Sequence, residues 1–302
     1  MIVLRIKGIT TMKKDQRYLD SLASKFTEKA HANTLFILSP SDVGVVKNRG
    51  RNGTRFAPQV IINNFKKMND HLENISGIHS LSNTSNELER DGLEKSHEEK
   101  YKRIQNSMEK NYRNIVHIGG GHDHAYPLLT AVEKSKKFKK LIIINIDAHC
   151  DTRVDQNLHS GTPFRNFDKE TKLDVHMIQY GIHKYANSPK TLSNLENINQ
   201  LIIYQDSLDK EIELEDVDKD TFIYLSLDAD GLDNSIMSAV SAVNPAGVQL
   251  KEVELIISKI KTKIKETECK ACFGIYEYNP IYDDLSNKGA KVISHLIYNW
   301  LS

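Results

Sequence analysis

The sequence is poor in the features that mark secreted, membrane-spanning or nucleic-acid-coating proteins. Three cysteines in 302 residues are too few for a disulfide scaffold. No apolar run approaches the roughly 20 residues that span a bilayer. The opening stretch, MIVLRIKGITTMKKDQ, is only briefly apolar and has no small-residue cleavage site, so it does not read as a signal peptide. Charge of one sign is also missing: 41 Lys+Arg against 40 Asp+Glu leave a net charge of +1. A DNA-coating protein or a polybasic membrane binder needs a one-sided field, so neither nucleic acid nor membrane is expected as a partner. There is no internal repeat and no low-complexity linker.

What is present is the composition of a soluble globule, 39% hydrophobic with a mean hydropathy of −0.48. The expectation is a cytoplasmic enzyme or binding module, folded as a single domain over residues 1–302. Short apolar, β-branched runs bounded by turn residues predict strands at Thr34–Leu38, Asn114–Ile118, Leu141–Ile146, Val175–Tyr180, Leu201–Tyr204, Phe222–Leu227 and Ala271–Tyr276. Several are apolar at nearly every position, as strands buried on both faces of a parallel sheet are. Helical spacing marks Ala57–Asn69, Tyr126–Lys137, Leu250–Lys265 and Ala290–Trp300. The alternation predicts an α/β protein with a mostly parallel central sheet. Asn83–Lys110, rich in Glu and Lys with a thin apolar stripe, reads as an exposed helix behind a polar loop.

The chemistry collects at predicted strand ends. Asp147–Ala148–His149–Cys150–Asp151 follows the run LIIINI directly. Alternate side chains of an extended backbone point the same way, so Asp147, His149 and Asp151 converge where open α/β sheets hold ligands. Asp228 and Asp230 leave the end of FIYLSL in the same manner, and NIVHI runs into Gly119–Gly120–Gly121–His122–Asp123–His124. Burying such carboxylates without counter-charge is costly; a bound cation removes the cost. His122, Asp147, His149, Asp151, Asp228 and Asp230 are too many ligands for one ion and suit two ions bridged by carboxylates. The oxygen-rich set favours Mn²⁺ over a thiolate-dependent zinc or copper site. Two such ions activate water toward an electrophilic carbon or phosphorus, so hydrolysis of a small-molecule substrate is the expected reaction class.

The motifs GGGHDH, NIDAHCD and SLDADGLD resemble those of the ureohydrolase superfamily, the arginase, agmatinase and formimidoylglutamase group. The resemblance implies a three-layer α/β/α fold of arginase type and two Mn²⁺ ions on the six residues named. It also implies cleavage of a C–N bond in a guanidino or formimino group, and a homotrimer or homohexamer. The segment Ser39–Pro58, SPSDVGVVKNRGRNGTRFAP, together with SGTPF at Ser160–Phe164, is most similar to formimidoylglutamases. That points to N-formimidoyl-L-glutamate, cleaved to L-glutamate and formamide in histidine breakdown. The alternative is an arginase- or agmatinase-like enzyme releasing urea. Asp123 stands where the formimidoylglutamase pattern has Glu, and Ser238–Ala239 where it has Pro-Gly.

Further roles follow from the resemblance. Asp151 orients the attacking water and accepts its proton. Glu277, in GIYEYNP, pairs with the cationic end of the substrate. His159 resembles a histidine that passes protons to the leaving amine. Arg153 matches the position of a carboxylate clamp, with Asn187 assisting and Arg165 a second candidate. His124 is expected beside the metals or at a helix start, His117 as a satisfied core histidine, and Cys150 facing the core. Cys269 and Cys272 form a CxxC without a second pair, so two reduced structural thiols are expected.

Overall fold

The computed structural model describes residues 16–208 and 212–302. Eight strands form one sheet: β1 Thr34–Ser39, β2 Ile78–Ser82, β3 Asn114–Gly119, β4 Lys140–Ile146, β5 Asp174–Ile182, β6 Ile198–Tyr204, β7 Thr221–Asp228 and β8 Lys270–Tyr276. All pairings are parallel, in the order β2-β1-β3-β8-β7-β4-β5-β6. The helices are α1 Gln16–Leu19, α2 Val43–Lys47, α3 Ala57–Phe65, α4 Leu93–Met108, α5 Ala125–Lys134, α6 Pro163–Glu170, α7 Leu250–Thr267 and α8 Lys288–Leu301.

Period-two alternation divides the core into two layers. Ile142, Ile144 and Ile146 of β4, with Ile223, Leu225 and Leu227 of β7, pack against Ile61 of α3, Ile257 of α7 and Ile293 of α8. Leu141, Ile143, Phe222 and Tyr224, their alternates, pack against Ile104 of α4, Leu128 of α5 and Phe167 of α6. Each fully buried side chain of this size contributes about 1.5–3 kcal/mol of transfer free energy. A strand flanked by helices on both faces gains that twice, which is why these runs are almost uninterruptedly apolar. The result is a three-layer α/β/α architecture.

All seven expected strands are present. The eighth, β2, is an edge strand whose sequence, IHSLS, buries only its first residue fully, so it carries no apolar run to find. Two expectations change. The helix expected over Ala57–Asn69 ends at Phe65, where the chain turns. The segment Asn83–Lys110 is not a solvated face: Lys100 and Ile104 of α4 are buried, as is Glu89 in the preceding loop. Lys100 Nζ lies 2.9 Å from Glu89 Oε1, so a charged stripe goes inside because it brings its own counter-charge. Among the described residues no helix is long and apolar enough to cross a membrane.

Candidate metal centre

The four central strands, β3, β8, β7 and β4, stand side by side, and each delivers a polar residue beyond its carboxyl end. From β4 come Asp147, His149 and Asp151; from β7, Asp228 and Asp230; from β3, His122; from β8, Glu277. Short backbone turns fix them. Asp147 Oδ1 accepts from the His149 amide at 2.7 Å, and Asp228 Oδ1 from the Asp230 amide at 2.9 Å. Asp151 and Glu277 have positive φ, 51° and 61°, a conformation that costs a non-glycine residue free energy and concentrates at functional sites.

The six expected ligands meet in two overlapping groups. Donor atoms of His122, Asp147, Asp151 and Asp228 lie within 4.8 Å of one another, as do those of Asp147, His149 and Asp230. His122 Nδ1 stands 2.9 Å from Asp151 Oδ2, 3.1 Å from Asp228 Oδ2 and 3.4 Å from Asp147 Oδ2. His149 Nδ1 is 3.4 Å from both Asp147 Oδ1 and Asp230 Oδ1. Asp147 thus faces both groups, one with each oxygen, an arrangement suited to a carboxylate shared between two ions. The other ring nitrogen of His122 lies 2.7 Å from Ser226 Oγ, and its ring stacks on Tyr276 with centroids 4.8 Å apart. The hydrogen bond fixes which nitrogen turns to the carboxylates, and the stack holds the ring plane.

The electrostatics show the strain of this arrangement. Burial disfavours charge on His122, yet hydrogen bonds to Asp147, Asp151 and Asp228 outweigh it and hold its pKa well above the usual imidazole value. Asp230, and then Asp147, push His149 up to about 12. Burial, then the charges of Asp230 and Asp147, drive Asp228 well above the usual carboxylate range. Burial and Asp230 raise Glu277 to about 8. No Lys or Arg pairs with any of the four aspartates among the described residues, and Asp230 Oδ1 has no hydrogen-bond partner. Buried carboxylates with this little counter-charge fit a pair of divalent cations. The donor set is therefore that of a binuclear metal site.

Above the carboxylates a cleft of about 270 Å³ opens to solvent, lined by His149, Asp151, Asp230 and Glu277 on its floor and by Arg49, Arg51 and Arg153 higher up. Glu277 Oε1 accepts from the His122 amide at 3.1 Å. Arg153 Nη1 donates to Asn48 Oδ1 at 2.6 Å, and Arg51 lies over the Tyr282 ring at 4.8 Å. None of the three arginines forms an ion pair among the described residues. Arg49 and Arg51 were not singled out from the sequence. Their signal lay in the Asn48–Gly53 part of the entry segment.

Other expected residues lie elsewhere. Asn187 is spent on the backbone: it accepts from the Cys150 amide at 2.9 Å and donates to the Ala148 and His183 carbonyls at 3.0 and 2.9 Å. It shapes the loop that carries His149 and does not line the cleft. Arg165 is buried and donates to the Thr152, Asn194 and Lys190 carbonyls, so it is a strut between loops. His159 accepts from the Gly161 amide at 3.1 Å, lies 3.5 Å from Asp155 and lines a small cavity behind the cleft. His117 is a satisfied core histidine, between Ser39 Oγ and Tyr276 Oη at 2.9 Å each. Cys150, Cys269 and Cys272 are buried free thiols.

Comparison with known proteins places this architecture. The sequence model of the arginase family matches residues 32–302. A formimidoylglutamase of Staphylococcus haemolyticus is 28% identical, over 86% of this chain and 83% of the relative. One of Cupriavidus pinatubonensis is 27% identical, over 94% and 92%. The crystal structure of Trypanosoma cruzi formiminoglutamase with Mn²⁺ superposes with a TM-score of 0.77 at 20% identity, covering 93% of this chain and 97% of that one. Since the family model matches nearly the whole chain, the protein belongs to the arginase family.

Proposed function

We propose that the protein is a formimidoylglutamase, hydrolysing the formimino C–N bond of N-formimidoyl-L-glutamate to give L-glutamate and formamide. The observation that carries this reading is the charge layout of the cleft. Its floor is acidic and suited to a cationic amidine, and its walls carry Arg49, Arg51 and Arg153 without acidic partners. That pattern complements a substrate with one cationic end and two carboxylates. Agmatine offers no carboxylate, and the α-ammonium of arginine would face the guanidinium groups. The curated relatives named above bear the same activity in their names.

Two Mn²⁺ ions are the proposed cofactors; His122, Asp147, Asp151 and Asp228 would hold one and Asp147, His149 and Asp230 the other. When bound, such a pair supplies Lewis acidity and a water of lowered pKa. Asp151, at the boundary between ligands and cleft, accepts a proton during attack on the amidine carbon. Glu277 is close to neutral pKa in its buried setting; a cationic amidine beside it holds it ionised and is oriented by it in turn. Arg153, with Arg49 and Arg51, clamps the carboxylates, for which the guanidinium fork is suited. His159, which lines the separate small cavity and not the cleft, is left without a role in protonating the leaving amine.

Incubating Mn²⁺-loaded protein separately with N-formimidoyl-L-glutamate, L-arginine and agmatine tests the reading. Formamide and glutamate from the first, without urea from the others, is the expected result. Urea from arginine or agmatine, with no formamide from the formimino compound, would overturn it.

A further inference from the structure

The turn His122–His124 that follows β3 splits its residues between two sides. His122 faces the front aspartates, while Asp123 and His124 face Glu89 in the loop before α4. There they meet Glu89. All three are buried, and one donor atom of each lies within 4.8 Å of the others.

Glu89 is satisfied: Ser41 Oγ and Thr84 Oγ1 donate to it, and Lys100 Nζ offsets its charge at 2.9 Å. Asp123 is not. Among the described residues neither of its carboxylate oxygens has a hydrogen-bond partner, although the chain makes room for them. A Cβ on Gly44 or Gly121 would stand 1.9 or 2.4 Å from Asp123 Oδ1. His124 donates from Nε2 to the Ser41 carbonyl at 3.4 Å, the backbone hydrogen bond typical of an imidazole whose other nitrogen binds metal. That other nitrogen, Nδ1, is buried and unpartnered. It stands 3.7 Å from Asp123 Oδ2 and 3.9 Å from Glu89 Oε1. These separations exceed a hydrogen bond and are close to the spacing of two donors about 2.0–2.2 Å from a shared ion. The cluster therefore holds two carboxylates against one ammonium, with a lone pair aimed between them. Next to it, between Asp123 and Lys100, lies a cavity of about 10 Å³, room for one small particle.

We propose that Glu89, Asp123 and His124 form a third metal site, distinct from the dinuclear centre and taking a divalent first-row transition-metal ion such as Mn²⁺. Two carboxylates and an imidazole are the donor chemistry for such ions. The site is sealed from the cleft, so its ion pins the 83–110 segment to the turn that carries His122 and takes no part in turnover. Lys100, sharing Glu89 Oε1, weakens the site relative to the front pair, so this ion binds last.

The test uses full-length protein saturated with MnCl₂, with metal counted by mass spectrometry and located by anomalous scattering at the manganese edge in crystals. The expected result is three ions per chain, the third among Glu89, Asp123 and His124. Asp123→Asn and Glu89→Gln are each expected to lower the ratio to two, with both front ions retained. The wild-type anomalous map needs neither variant to fold. Two ions at the front alone would overturn this inference and leave the proposed function standing. No ion at either place would overturn both.

Discussion

Two buried acidic clusters stand back to back at the end of β3, and they differ in what offsets their charge. In front, Asp147, Asp151, Asp228 and Asp230 have only His122 and His149 for ion-pair partners among the described residues, and the last three open onto the cleft. Behind, Glu89 has a lysine and two hydroxyls, Asp123 has no hydrogen-bond partner among the described residues, and both are buried away from the cleft. A fold that needed these acids only for packing would supply all of them as it supplies Glu89. The front ones, less compensated than Glu89, suit divalent cations, and the cleft above them leaves room for a small molecule. The open cluster is built for chemistry and the closed one for holding elements together.

That contrast fails if substitutions in the two clusters have the same consequence. Asp230→Ala should lower turnover by roughly a thousandfold or more through loss of metal-activated water. The urea midpoint of the metal-free protein should hardly change, because a repelled carboxylate has been removed. Turnover near wild type with full metal occupancy would break the front half of the comparison. Lys100→Met should do the reverse. Removing one partner of a buried ion pair costs about 3–5 kcal/mol, read as a lowered urea midpoint, while the folded fraction keeps its turnover. An unchanged midpoint would show that Glu89 does not depend on the lysine.

The same contrast marks how far the sequence could be read. The front ligands were legible because they follow apolar strands at period two, so facing and convergence came together from one local pattern. The rear cluster joins Glu89, Lys100 and Asp123 across a loop and a helix. Nothing local says that a Glu/Lys-rich stripe turns inward, and the stripe read as solvated. Loop side chains were the other limit. Asn187 and Arg165 have the right chemistry for substrate, but their donors and acceptors are spent on carbonyls and amides of neighbouring loops. Arg49 and Arg51 reach the cleft from a segment that carried the family resemblance without marking which side chains point inward. β2 escaped notice because an edge strand needs no apolar run.

The smallest effect lies at the margin of the rear cluster and concerns His97 of α4. Its ring stacks on Tyr126 at 4.0 Å and lies 3.3 Å from Thr130 Oγ1, with Nδ1 unpartnered. Burial, and then the nearby Lys100 ammonium against a weaker pull from Glu98, lowers its pKa from 6.5 to about 4. The folded state therefore favours the neutral ring. Above pH 6.5 neither state carries the proton and the full stability is present. As pH falls from 6.5 toward 4, the unfolded chain takes up a proton that the folded chain refuses, and stability is lost. Across that window the loss is on the order of 2–3 kcal/mol. His97→Phe keeps the stack and removes the titration, so the fall in unfolding free energy between pH 7 and pH 4.5, read from urea melts, should shrink by that amount. An identical fall in the variant would assign the acid sensitivity to the carboxylates in front. The rear of the molecule would then be less rigidly closed against charge than its packing implies.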